Sequence, residues 1–173
     1  MLDFLVIGGG IAGLSLASRL VAHGKTCVLE AEAVPGYHSS GRSVAFAHFG
    51  LGDDVIRGLT AISLPHLLIP FDPDQPASGT RHPVLHIARE HELDALQALD
   101  AVHQKYAENF ELLSPQQATE IVPILKQGLG GIHGALIHHD ALKLDADILL
   151  QGHIRRLRAG SGELVCNARV NSI

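Results

Sequence analysis

A chain of 173 residues, 46% hydrophobic and 18% charged, has enough apolar material for a packed core and too little charge for a disordered segment. Its formal net charge of -5 excludes a basic face built to hold nucleic acid. The length leaves room for one ordinary domain or parts of two.

Leu2 to Ile7 is an apolar run that ends in Gly8-Gly9-Gly10-Ile11-Ala12-Gly13. It predicts a buried parallel strand that leaves through a glycine turn. Ile11, Leu14, Leu16, Ala17, Leu20 and Val21 follow at helical spacing, and Cys27-Val28-Leu29-Glu30 predicts the next strand. In such a strand-turn-helix-strand unit each glycine has a job. Gly8 permits the tight turn, Gly10 lets backbone approach a pyrophosphate, and Gly13 lets helix and strand pack closely. The phosphates then face the helix N-terminus, where free N–H groups and the dipole favour negative charge. Glu30, at the end of the second strand, is placed to bond a ribose 2′-hydroxyl and to repel a 2′-phosphate, which disfavours NADP. The candidate cofactor contacts are therefore Gly8, Gly10, Ile11, Ala12 and Gly13, with Glu30 and Ala31. Glycine turns also arise for packing alone, but here strand, helix, small Ala17 beside Leu20 and the acidic strand end all agree. Nicotinamide and flavin dinucleotides both remain open at this point.

The N-terminus does not read as a signal peptide, since Asp3 replaces a positive region and glycines break the apolar stretch. No run approaches the ~18 apolar residues of a membrane span. Cys27 and Cys166 both lie in apolar, strand-like surroundings and read as buried free thiols of a reducing compartment, so a cytoplasmic location is expected.

Residues 31–43 form a loop longer than the ~2 to 6 residues that join most strand and helix pairs, which suggests that it wraps a ligand. It contains Pro35-Gly36-Tyr37-His38-Ser39-Ser40-Gly41-Arg42-Ser43. Arg42 can pair with phosphate, and Ser39, Ser40 and Ser43 offer hydroxyls beside it. Taken with Gly8 to Gly13 and Val28-Leu29-Glu30, this loop resembles the N-terminal part of the FAD-dependent amino-acid oxidoreductases of the D-amino-acid oxidase and glycine oxidase superfamily. Within that group it is most similar to the D-arginine dehydrogenase type of D-amino-acid dehydrogenase.

The resemblance implies FAD rather than NAD, with Gly8, Gly10 and Gly13 lining the pyrophosphate and Glu30 on the adenosine ribose. Ser40, Arg42 and Ser43 would run beneath the pyrophosphate towards the flavin. Similar proteins place a flavin-facing histidine soon after the serine. Here Phe46 holds that position, and His48, two residues on, is a candidate only for lining the pocket. The implied reaction is hydride transfer from the Cα–H of an amino acid to flavin N5, followed by hydrolysis of the imino acid to a 2-oxo acid and ammonia.

Further along, Val55, Ile56, Leu59 and Ile62 predict a helix capped by Asp53 and finished before Pro70, and Phe71 to Thr80 reads as a loop. Pro83 to Ala88 predicts a strand, and Glu90 to Ala107 a helix with Leu93, Leu96, Ala98, Leu99 and Val102 inward. Ser114-Pro115-Gln116-Gln117 is a helix start, with Ser as cap and Pro at the first helical position. That helix stops by Pro123, and Ile-Val-Pro-Ile-Leu resembles the equivalent helix end of similar flavoproteins. Gly130 to His138 predicts a strand of a second sheet. Asp145 caps a helix to Arg158, and Arg155, Arg156 and Arg158 read as dipole-complementing cations at its end. Glu163 to Val170 predicts a strand that returns to the first unit, and the resemblance places an adenine contact near Val170.

His133, His138, His139 and Asp140 are the densest group among the 12 histidines, but their spacing matches no familiar zinc pattern and no metal is expected. The fold class expected is α/β: a Rossmann-like FAD-binding βαβ unit with part of an inserted α+β substrate domain, truncated before the C-terminal half. The segments would be 1–50 and 140–173 for FAD binding and 51–139 for the partial substrate domain. Family members continue with a segment that closes the flavin site, so this chain alone is expected to be inactive. A second chain could supply that half, or the fragment could hold a dinucleotide without catalysis. The substrate class implied is a small amino acid or amine.

Overall fold

The computed structural model describes residues 1–172. In chain order the first elements are β1 (Phe4–Ile7), α1 (Ile11–Leu20), β2 (Thr26–Leu29), β3 (Phe46–Ala47), α2 (Asp54–Leu67), β4 (Gly79–Arg81) and β5 (Val84–Ala88). Then come α3 (Leu93–Tyr106), β6 (Phe110–Leu113), α4 (Pro115–Ile121), β7 (Gly134–His138), β8 (Leu142–Leu144), α5 (Ala146–Ala159) and β9 (Glu163–Val165). They form two compact units, unit 1 from Met1–Ala45, Pro70–Ser78 and Leu144–Ile173 and unit 2 from Phe46–Ile69 and Gly79–Lys143. The expected segment limits at 50 and 139 compare with changes of unit after 45 and 143, and Pro70–Ser78, inside the expected middle segment, lies in unit 1.

In unit 1 the sheet order is β1-β2-β9, with both pairings parallel. Val6 and Val28 from the strands meet Leu14 and Ala17 of α1 and Leu150, Ile154 and Leu157 of α5 in one core. Cβ atoms on one face of a helix recur every three to four residues, which is why the α1 pair and the α5 trio point the same way. Asp145 starts α5 by accepting the N–H groups of Asp147 and Ile148, each at 3.0 Å. The last strand is shorter than expected. β9 ends at Val165 because Asn167 turns into the left-handed region at φ 56°, and the chain then runs beside the end of β2, with Asn167 N–H donating to Glu32 O and Ala168 N–H to Glu30 O. Within the described residues β1 is one of the two sheet edges, and it leaves Leu5 53% and Ile7 51% exposed.

In unit 2, β7 lies between β5 and β6, antiparallel to both, and every residue from Gly134 to His138 is buried. Leu113, Ala118, Ile132, Ala135 and Ile137 pack on one side, and Ala88, Leu96 and Leu136 form a second cluster. A smaller sheet runs β3-β8-β4. The capping residues behave as expected, since Asp53 accepts the Ile56 N–H and Ser114 exchanges hydrogen bonds with Gln117.

Several expectations change. The strand beginning at Gly130 starts at Gly134, because Gly128 and Gly130 take φ 73° and fold Lys126 to Ile132 into a tight turn. The helix from Glu90 opens with a 3-10 turn, Glu90–Glu92, and its inward face carries Leu96 and His103 while Ala98 and Leu93 are exposed. Helix α2 forms, yet none of its residues is buried.

Candidate cofactor-binding site

The glycine turn between β1 and α1 has little freedom. Gly8 takes φ 104°, a backbone region that disfavours side chains, and nothing stands within 4 Å of where its Cβ would be. A Cβ on Gly13 would lie 2.0 Å from the Gly8 carbonyl oxygen. Gly10 is the extended N-cap of α1 and offers no side chain to the first turn. The N–H groups of Ala12 and Gly13 therefore face outward from that turn without a helical acceptor four residues earlier.

Glu30 closes the turn from the end of β2. Its Oε2 accepts the Gly9 N–H at 2.6 Å and its Oε1 the Glu32 N–H at 2.9 Å. Burial pushes the carboxyl up, but the N–H groups of Glu32, Gly9 and Ala31, with His38 near by, outweigh it and hold the group below its ordinary value. Glu30 is thus a charged carboxylate, buried and aimed at the glycines.

The loop 36–43 crosses the same turn. Gly36, at φ 71°, donates its N–H to Gly9 O, and Ser40 Oγ accepts the Ile11 N–H at 3.0 Å. The Gly41 N–H donates to Gly36 O, and a Cβ at Gly41 would fall 2.6 Å from that oxygen, so the loop's own closure requires glycine there. Arg42 donates from Nε to Tyr37 O at 3.1 Å and lies with its guanidinium 5.0 Å over the Tyr37 ring. Ser43 accepts the Ala45 N–H. Both side chains are exposed and shape the loop's outer half.

Of the residues singled out from sequence, Gly8, Gly10, Ile11, Gly13, Glu30 and Ser40 converge on one spot, with Ala12 exposed beside them. Val170 lies half-buried beyond the end of β9. His48 belongs to unit 2, where Nδ1 accepts the Gly50 N–H and the ring lies 5.4 Å from His86. Sequence reasoning passed over Gly9, whose N–H and C=O are both used here, and Glu32, whose carboxylate meets His38 at 3.1 Å and Arg169 at 3.8 Å. The run Gly8-Gly9-Gly10 held the first signal, whereas the second depends on where the chain passes after β9. Among the described residues no group of three or more His, Cys, Asp or Glu is arranged to hold a metal, and no helix is long and apolar enough to cross a membrane.

The arrangement fits a dinucleotide. Side-chain-free backbone, outward N–H groups of a helix N-terminus and a charged carboxylate at the neighbouring strand end supply contacts for pyrophosphate and ribose. Comparison with known proteins agrees. The DAO family model, described as FAD dependent oxidoreductase, matches residues 3–173. The dithionite-reduced, FAD-bound L-alpha-glycerophosphate oxidase of Mycoplasma pneumoniae superposes with a TM-score of 0.85 at 17% identity, over 99% of this chain and 46% of its own. L-proline dehydrogenase from P. horikoshii gives 0.78 at 19% identity, over 98% and 45%. Glycine oxidase from Bacillus cereus gives 0.73 at 18%, over 100% and 48%. At these identities the likeness is one of fold, and the chain spans under half the length of each of the three structures.

Proposed function

Because this chain belongs to the DAO family of FAD-dependent oxidoreductases, we propose that its glycine turn and the loop 36–43 together hold the FAD, and that the oxidoreductase they serve oxidises the Cα–N bond of an amino acid. The observation that carries this reading is the meeting of the two motifs: Ser40 Oγ sits on the Ile11 N–H, and the Gly36 N–H on Gly9 O. Gly10, Ala12 and Gly13 would give backbone N–H groups to the pyrophosphate, while Ile11, its own N–H held by Ser40 Oγ, would line it. Glu30 uses one lone pair of each oxygen on backbone N–H groups, which leaves the others to accept ribose hydroxyls. Ser40, Arg42 and Ser43 would follow the diphosphate towards the flavin, and Ala31 and Val170 would flank the adenosine.

When bound, the flavin accepts the hydride and carries the redox chemistry. This chain's part is to bind and orient it. No residue of this chain is assigned as a general base, and the pocket-lining candidate His48 accepts the Gly50 N–H through Nδ1. An amino acid or amine as substrate is supported by glycine oxidase and L-proline dehydrogenase among the similar folds. A D-amino acid is favoured by the likeness of the Gly36–Ser43 loop to D-arginine dehydrogenases. The two free cysteines, Cys27 buried and Cys166 half-buried, support a cytoplasmic setting.

Backbone amide NMR during titration with ADP, the adenylate half of FAD, tests the site. Shifts should concentrate at Gly8–Gly13, Glu30 and Ser40. Gly10→Val should remove them, and Glu30→Gln should weaken binding about tenfold, or ~1.4 kcal/mol. Shifts scattered over unit 2, or none at the glycine turn, would sink the proposal.

A further inference from the structure

Unit 2 gathers four histidines in one place. His86 stands on β5, His138 on β7, His103 on α3, and His48 just after β3. In the β5–β7 register His86 faces Leu136, two residues from His138, so the two rings share one face of the sheet. Ring centroids are 5.4 Å apart for His48 and His86, 5.8 Å for His86 and His103, and 5.1 Å for His103 and His138. Phe49 closes the group, stacked on His138 at 5.4 Å and meeting His103 edge-on at 6.0 Å.

These rings are packed as apolar bodies. His103 and His138 are 0% and 1% exposed, and Phe49 is 1% exposed. His86 Nε2, His103 Nε2 and His138 Nδ1 are buried without a hydrogen-bond partner. His103 uses Nδ1 on Leu99 O, so its proton is there and Nε2 is a bare lone pair. His48 Nδ1 accepts the Gly50 N–H, which places any proton of the neutral ring on Nε2.

The charged groups around the cluster do little to favour protonation. Asp140, near His138, is paired with Arg81 at 3.3 Å. Asp100, near His103, receives Gln104 Nε2, and Arg57 of α2 repels a proton on His103. Tyr106 is stacked on the Phe49 ring. Burial pushes all four rings down, aided by neighbouring histidines at His48, His86 and His138 and by Arg57 at His103. His86 and His138 fall to about 4, while His48 and His103 move in the same direction, the last against Leu99 O and Asp100.

We propose that the cluster of His48, His86, His103 and His138 is an acid-sensitive lock on unit 2: while neutral it holds β5, β7 and α3 together, and proton uptake in mildly acidic solution opens them. The sign follows from linkage. An exposed histidine titrates near ~6.5, so below that pH the opened chain binds protons that the closed cluster refuses. Stability of unit 2 therefore falls as pH drops below about 6.5 and keeps falling until about 4, where His86 and His138 protonate in place. For those two rings alone the opening constant rises on the order of fifty-fold between pH 6 and 5. Unit 1 contains one comparable ring, His153, also at about 4, whose share over the same interval is about sevenfold.

Hydrogen exchange of the full chain, read by mass spectrometry at pH 7.5, 6 and 5 and corrected for intrinsic rates, decides the matter. Peptides of β5, α3 and β7 should lose protection on the order of fifty-fold between pH 6 and 5, and those of β1 and β2 less than tenfold. Equal losses in the two units, or none, would overturn the lock. His86→Leu and His138→Phe should each cut the pH 6 to pH 5 ratio about sevenfold, whatever their stability at pH 7.5. Ring C–H NMR signals of the folded wild type give an independent reading. Those of His86 and His138 should stay flat above pH 5, and a midpoint near ~6.5 for either ring in the folded protein would refute the proposal even if no variant folds.

Discussion

Gly13 has no room for a methyl group, because the atom that one would strike is the Gly8 carbonyl oxygen, held by the turn itself. Gly13→Ala must push α1 away from β1 or distort Gly8. A cost of about 3 kcal/mol, at the upper end for overpacking, is expected as a lower urea midpoint with unchanged slope. Glu30 acts in the opposite manner, through charge. Its carboxyl is held below the ordinary value, so its contribution to the fold is complete above about pH 4.3 and is lost as pH falls through the folded value. The glycines and Glu30 were legible in sequence because each role is local or set by one strand-turn-helix unit. Gly9 and Glu32 were not, because their partners lie in the loop 36–43 and beyond β9.

Helix starts form the next scale, and they depend on a few neighbouring residues. Asp145 holds two N–H groups of α5 with one oxygen, so Asp145→Ala should destabilise unit 1 by about 1–2 kcal/mol, while Asp145→Asn should cost less. Thermal unfolding followed by circular dichroism would register either loss, and equal midpoints for Asp145→Ala and wild type would contradict the cap. Such caps can be read directly from sequence. Strands are harder. Phe110-Glu111-Leu112-Leu113 has no clean alternation, and β6 exists because β7 offers it an edge through the pairs Phe110–His138 to Leu113–Ala135. The same distant sheet decides which face of α3 is inward, placing His103 there and leaving Ala98 in solvent. No periodicity within α3 could announce that choice.

At the scale of the molecule, the sheet of unit 1 has an open flank. Leu5 and Ile7 on β1 and Leu16 on α1 are each about half exposed, at 53%, 51% and 51%, beside an unpaired strand edge. Exposed apolar edges recruit further strands, from a partner or from a copy of the same chain. On gel filtration this chain is expected to elute above its 18.4 kDa mass and to carry less than one FAD per chain. A monomer with stoichiometric flavin absorbance would contradict both. Ile7→Lys should shift the elution towards the monomer without removing ADP shifts at the glycine turn.

The pairing of β9 with β2 also imposes an order in time. Leu29 waits for Val165, and Val28 for the α5 face that carries Ile154 and Leu157. A ribosome delivers every residue of unit 2, through Lys143, before any residue of α5. The unit that begins the chain is thus the last to close. Until then its glycine turn has a helix behind it and only part of a core beneath it.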